Sequence, residues 1–218
     1  MKALVTGAGR MGSQIAQVLA AMGHDVTLVE IDDRRVAELA PVTVARLMVG
    51  DACEPAVLEE AGAHTTDLLI AATGDDEDNL VVGLLAKRQF AVPRVVARIN
   101  DPDNTWLFSD AWGVDVPISA ANPLMSLIEE ATGATDTVAL LRLSRAGVTV
   151  IETTIAATSR SAGRALADIA LPAGTVVAAV IRGGRPVVPG ESFVVEPGDE
   201  VLVVSERASG PDIHAAFQ

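Results

Sequence analysis

The stretch Lys2-Ala3-Leu4-Val5-Thr6-Gly7-Ala8-Gly9-Arg10-Met11-Gly12 decides the fold. Lys2–Thr6 is a short apolar strand, and the residues after it spell G-x-G-x-x-G ahead of an amphipathic helix expected over residues 11–22. Each glycine has its own duty. Gly7 permits the tight turn, Gly9 lets a pyrophosphate approach the backbone, and Gly12 lets the helix pack closely on the strand. The amides of the helix N-terminus then point at an anion. Glu30 ends the next strand, 18 residues beyond Gly12. A carboxylate there accepts hydrogen bonds from ribose hydroxyls and repels a 2′-phosphate, with Asp32 as a nearby substitute. The pair of signals points to NAD or an adenine nucleotide.

Outward from this motif, strand and helix alternate. Further strands are expected at residues 25–30, 43–49, 67–71, 93–99 and 115–117. Helices are expected at 33–40, 55–61, 77–89 and 103–111, with Pro55 suited to a first helical turn. Strands separated by helices of this length imply right-handed βαβ crossovers and a doubly wound parallel sheet. A helix over 122–132, opened by Pro123 and closed by Gly133, ends this part. The pattern then changes to strands at 138–143, 148–155, 176–181, 186–188 and 200–204, with one short helix near 162–169 and a terminal helix around His214. Arg182-Gly183-Gly184-Arg185 reads as a hairpin turn. The fold class is therefore α/β, a Rossmann-type doubly wound sheet over residues 1–133, followed by a small α+β domain over 134–218.

Composition narrows the function. Hydrophobic residues make up 50% of the 218 and aromatics only 3%, which suits a parallel sheet buried on both faces. No apolar run approaches the roughly 20 residues needed to span a bilayer, and the N-terminus reads as a strand rather than a signal peptide. The single cysteine, Cys53, cannot form an internal disulfide, which fits a reducing cytoplasm. A formal net charge of −13 with scattered arginines argues against nucleic acid and against direct membrane insertion or adsorption. Residues 1–133 carry 9 basic and 20 acidic groups, and residues 134–218 carry 7 and 9, an asymmetry that fits two separate units.

Strand C-termini in such sheets face the ligand crevice. Thr73 and Gly74, after the fourth strand, are expected to contact phosphate or ribose, and Asn79 to reach back from the next helix. Gly50-Asp51-Ala52 either lines an adenine pocket, with Asp51 close to the base, or forms an ordinary turn with Asp51 as a cap. Arg98, ending the fifth strand, either reaches the crevice or makes a surface ion pair. The cluster Asp75-Asp76-Glu77-Asp78 complements a helix dipole or holds a cation. Cys53 near a helix N-terminus is either a thiol of lowered pKa or a small packed side chain.

With those residues in place, the chain resembles the regulatory subunits of Trk/Ktr-type potassium uptake systems, which are built from RCK (KTN) domains. The resemblance rests on GAGRMG, VEID, GDA, ATGDDEDN, VVARIND and GVDVPIS in the first part, and on GTVVAAVIRGGRPVVPGESFVVEPGDEVLVVSE in the second. It implies a cytosolic gating subunit that forms dimers and then rings beneath a membrane potassium transporter. ATP, ADP or NAD(H) would occupy a site made by Gly7, Gly9, Arg10, Met11, Gly12, Glu30, Asp51, Thr73, Asn79 and Arg98, with Arg10 near the phosphates and in some relatives reaching across a dimer. A second ligand such as cyclic di-AMP would sit near Val187, Val188 and Pro189. Where many relatives carry a Pro-Glu pair, this chain has Ser119-Ala120-Ala121-Asn122, a departure that weighs against switching by ATP with a cation.

An enzyme would need a proton-transferring group facing the ligand. His24, His64 and His214 stand in two turns and the terminal helix without partners at catalytic spacing, and no Cys/His spacing fits a metal. A nucleotide-driven switch is thus the first reading, and a small NAD-dependent oxidoreductase the second.

Overall fold

The computed structural model describes residues 1–119, 128, 136–143, 147–190 and 192–218. The chain divides into two compact units, Met1–Ala121 and Asn122–Gln218. The helix expected over 122–132 and the boundary expected at Gly133 fall, Ile128 apart, outside the described residues.

In the first unit, β1 (Lys2–Thr6), β2 (Asp25–Glu30), β3 (Arg46–Val49), β4 (Leu68–Ala71), β5 (Arg94–Ile99) and β6 (Val116–Ser119) form one sheet. The strand order is β3-β2-β1-β4-β5-β6, with every pair parallel. Helices α1 (Arg10–Ala21), α2 (Asp33–Leu39), α3 (Pro55–Glu60) and α4 (Asp76–Arg88) make the crossovers. Alternate residues of β1 serve opposite faces. Leu4 packs with Leu69, Val82 and Val95 on one side, while Ala3 and Val5 pack with Ala16, Leu28 and Ile70 on the other. Two-sided burial is what makes these strands continuously apolar. The order reverses beside β1, where the next strand lies on one side and the fourth on the other, so the C-terminal ends of β1, β2, β4 and β5 frame one crevice.

Two expected elements take other forms. The helix expected over 103–111 is instead a pair of 3₁₀ turns, Pro102–Leu107 and Asp110–Trp112. Phe108, at ψ 79°, separates them, and Gly113, at φ 75°, ends the second, so no continuous α-helical ladder forms. The helix expected near 162–169 contracts to a 3₁₀ turn at Leu166–Asp168. Gly163 at φ 79° breaks it, and residues 163–166 exchange backbone hydrogen bonds with Phe193 and Val195.

The second unit is antiparallel throughout. β7 (Thr137–Leu143), β8 (Val148–Thr154), β9 (Thr175–Arg182), β10 (Arg185–Val187) and β11 (Glu200–Ser205) are ordered β10-β9-β11-β8-β7. Gly183 and Gly184, at φ 57° and 74°, form the two-residue hairpin loop between β9 and β10. Helix α5 (Gly210–Phe217) opens on a Ser209/Asp212 capping box and buries Ile213 and Phe217 against Ile151, Val201 and Val203. Among the described residues, no helix is long and apolar enough to cross a membrane.

Leu69 is fully buried at the centre of the parallel sheet. Leu69→Ala is expected to cost about 2–5 kcal/mol of unfolding free energy, from lost transfer energy and the cavity left behind, read as a lowered urea midpoint with unchanged slope.

Candidate functional site

The bend between β1 and α1 is made of bare backbone because nothing else fits. Gly7 sits at φ 87°, and a Cβ there would meet the Thr73 Cα at 2.8 Å. A methyl group on Gly12 would run into the Gly7 carbonyl oxygen. Gly9 is different: a Cβ added to it meets nothing within 4 Å. So Gly7 and Gly12 close the turn, while the space over Gly9 is open. Gly9 is also the N-cap of α1, contributes no side-chain cap, and is followed by a first turn without an acidic residue. The first-turn amides of α1 have no intrahelical acceptors and carry the positive end of the helix dipole.

Glu30, at the end of β2, grips this bend. One carboxylate oxygen accepts from the Ala8 amide at 2.5 Å and the other from the Asp32 amide at 3.1 Å. An ionised carboxylate offers about four acceptor sites, so lone pairs remain for further donors. From α2, Arg35 Nε donates to the Ala8 carbonyl at 3.0 Å. Asp32 faces elsewhere, capping α2 through the Arg34 amide.

On the far side, Asn79 fixes the end of β4. Its side chain is wholly buried. Its Oδ1 accepts from the Thr73 amide and hydroxyl, both at 2.9 Å, and its Nδ2 donates to the Arg98 carbonyl at 3.1 Å. Asp76 does the same for the segment after β5. It accepts from the Asn100 and Asp101 amides and from the side-chain amides of Asn100 and Asn104, the last at 2.8 Å. Burial alone would raise the Asp76 carboxyl, but these hydrogen bonds outweigh it and hold the group below the usual carboxylate range. Arg98 lines the crevice with its Nε buried and without a hydrogen-bond partner, and no ion pair holds it among the described residues.

The crevice encloses about 340 Å³. Gly7 and Gly9 form one wall, Glu30 and Ile31 a second, Gly50, Asp51, Ala52 and Cys53 a third, and Thr73, Gly74, Asp75 and Arg98 a fourth. Asp51 Oδ1 accepts from the Cys53 amide at 2.8 Å, so this residue is a turn cap and a lining group at once. The Cys53 thiol is not activated. Burial, then the charges of Asp78 and Asp51, push it up to about 12, the reverse of the lowering that a helix N-terminus alone would give.

The first unit matches the TrkA-N domain over residues 3–120, and the second matches the TrkA-C domain over residues 150–218. The chain belongs to the TrkA family. It is 42% identical over 205 residues to the Trk system potassium uptake protein TrkA of Mycobacterium tuberculosis, covering 94% of this chain and 93% of that protein. It is 33% identical to the TrkA homolog of Archaeoglobus fulgidus, of which it spans 47%. Among solved structures, the GsuK channel bound to NAD shares the fold, with a TM-score of 0.59 at 15% identity over 99% of this chain. The chain spans only 39% of that channel's length.

Of the residues singled out in the sequence, Gly7, Gly9, Glu30, Asp51, Ala52, Thr73, Gly74 and Arg98 line one crevice. Gly12 lies beneath it as packing, and Arg10 and Met11 stand on the first turn of α1 outside the lining. Asn79 and Asp32 lie outside that lining: the side chain of the first holds the chain behind Thr73, and that of the second caps α2. Arg35 and Asp76 were not anticipated in these roles. The signal for Arg35 was an arginine on the first turn of the helix after Glu30.

Because the folded-state pKa of Asp76 is lowered, its stabilisation is complete above the ordinary carboxylate range and is lost as pH falls through the folded value. Acid titration of the wild type, followed by circular dichroism, should show stability falling below about pH 4. In Asp76→Asn this part of the acid dependence should disappear, leaving lower stability at neutral pH and a shallower acid limb.

Proposed function

We propose that the protein is a cytosolic regulatory subunit of a potassium-uptake system, and that its N-terminal unit binds an adenine nucleotide in the crevice at the strand ends. The open backbone at Gly9, bracketed by Glu30 and Arg98, carries this reading. Phosphate suits the amides of the bend and the unpartnered Arg98, ribose suits Glu30, and the amino edge of adenine suits Asp51. NAD(H) and ADP agree with this inventory better than ATP with a cation, since by the family resemblance Ser119-Ala120-Ala121-Asn122 takes the place of a Pro-Glu pair. Support comes also from the relatives, which include Trk potassium-uptake proteins, and from a GsuK structure bound to ADP, 27% identical over 60% of this chain with a TM-score of 0.50.

The ligand acts as a signal, with no bond made or broken. No histidine lines the crevice among its described residues, and the one thiol there is held protonated. A ligand that binds two shapes of the protein unequally shifts their populations by that difference, without chemistry. The membrane partner is a potassium transporter, and the regulatory form is a homo-oligomer, a dimer built into a ring. The same reading assigns a second ligand, such as cyclic di-AMP, to the C-terminal unit beside Val188, which is 85% exposed.

Gly9→Asp separates binding from folding. Gly9 has ordinary φ and open space, and Asp is a favoured N-cap, so the thermal midpoint should hold or rise while calorimetric affinity for NAD and ADP falls below detection. Unchanged affinity would remove the bend from the site. Glu30→Ala should weaken both ligands by about 1–3 kcal/mol through the lost ribose bonds. Sedimentation at micromolar concentration should give a dimer or larger, and incubation with NADH should produce no substrate-dependent absorbance change.

A further inference from the structure

The Ala8 peptide is held from two sides. Its N–H donates to Glu30, and its carbonyl accepts from Arg35 Nε. A peptide unit is a rigid plane in which C=O and N–H of a trans bond point in opposite directions. The Ala8 carbonyl and the Gly9 N–H share one such plane. Whatever fixes the carbonyl toward α2 therefore turns the Gly9 N–H away from α2. Gly9 lines the crevice, and its N–H meets no acceptor among the described residues. The next peptide back, shared by Gly7 and Ala8, is fixed in the same manner by Glu30.

We infer that Arg35 is a positioning residue for the anion cradle: by holding the Ala8 carbonyl it sets the direction of the Gly9 N–H toward a ligand phosphate, without touching the ligand itself. The inference rests on the nucleotide reading above. Three observations favour this role over a plain surface ion pair. The bond to Ala8 uses Nε, the donor nearest the backbone, while Nη1 takes Glu38 at 3.0 Å, so the guanidinium is braced at two points. The side chain is 35% exposed, lying along the bend rather than standing out in water. Glycines on both sides of Ala8 leave the bend little stiffness of its own, so the direction of its amides has to be imposed by neighbours. Preorganised donors bind an anion better because they do not reorganise on binding.

Two substitutions separate the hydrogen bond from the charge. The side-chain amide nitrogen of Gln is bonded to Cδ, as Arg Nε is, so Arg35→Gln keeps a donor at the same place and removes the cation. Arg35→Met keeps the length and removes both. The affinities of ADP and of adenosine would be measured by calorimetry for the wild type and the two variants. Arg35→Met should weaken ADP about tenfold, the loss expected for one oriented hydrogen bond to a charged group, and leave adenosine unchanged, since adenosine has no phosphate to meet the cradle. Arg35→Gln should stay within about threefold of wild type for ADP. An equal loss in both variants would assign the effect to charge and overturn the inference. So would ADP affinity that survives in Arg35→Met, or adenosine weakened as much as ADP. A wild type that binds neither compound would instead defeat the nucleotide reading, and this inference with it.

Discussion

Helix α1 starts where it does because two backbone segments lie closer together than side chains allow. The Gly7 carbonyl abuts Gly12, and the Gly7 Cα region abuts Thr73, so the strand turns into the helix within three residues. That contact sets the position of the helix N-terminus relative to the sheet edge, and every other group of the crevice is placed against it. Glu30 reaches the bend because β2 is hydrogen-bonded to β1 in a register that sets Thr6 beside Val29, one residue before Glu30. Thr73 reaches it because β4 flanks β1 on the other side, with Thr6 beside Ala71. A longer side chain at Gly12 would push α1 away and widen the gap across which these partners act.

The electrostatic arrangement resolves an apparent conflict in the proposed function, that a chain of net charge −13 would take an anion. At physiological salt, charges are screened beyond about 8 Å, so the overall charge matters less than the groups in contact. Those groups are sorted by position. Amide donors and Arg98 supply the positive potential, while Glu30 and Asp51 are acceptors suited to hydroxyls and an amino group. Asp76, the most buried member of the acidic run after β4, is consumed by four donors around Asn100 and Asn104 and contributes no free lone pairs to the ligand. Free phosphate would satisfy only the first set. A nucleotide satisfies both.

How much of this was legible in the sequence follows from distance along the chain. The glycine motif, Glu30 and the strand ends are local features whose geometry is set by a βαβ unit, and their roles can be read from spacing. Arg35, Asn79 and Asp76 act through partners on other segments: Arg35 on Ala8, 27 residues back, and Asp76 on Asn104, 28 residues on. No periodicity marks such pairs. The helix expected over 103–111 fails for a related reason. Apolar spacing there suited a helix, but Phe108 is drawn into the core beneath α4 and breaks the segment into two turns. The Cys53 environment also escaped, because the acids that raise its thiol come from two separate segments, Asp51 in the turn after β3 and Asp78 on the first turn of α4.

The strand order also constrains where ligand-dependent movement can occur. Glu30 ends β2 and Arg98 is the penultimate residue of β5, with β1 and β4 between them. At about 4.8 Å per strand, the two are separated by roughly 14 Å, a span that a nucleotide bridges and a single phosphate does not. The four strands beneath are hydrogen-bonded in continuous register and buried on both faces, so a ligand cannot shift one against another without breaking the ladder. Compliance is left to the connections above them. The Gly9 bend is braced by Glu30 and Arg35, and the chain behind Thr73 by Asn79. The Gly74–Asp75 connection is held as well: the Thr73 hydroxyl accepts from the Asp75 amide at 3.3 Å and lies 3.0 Å from the Asp75 carbonyl oxygen, while Gly74 is exposed with open space around its Cα. A ligand in this crevice would therefore meet connections already held to a fixed sheet by Glu30, Arg35, Asn79 and the Thr73 hydroxyl.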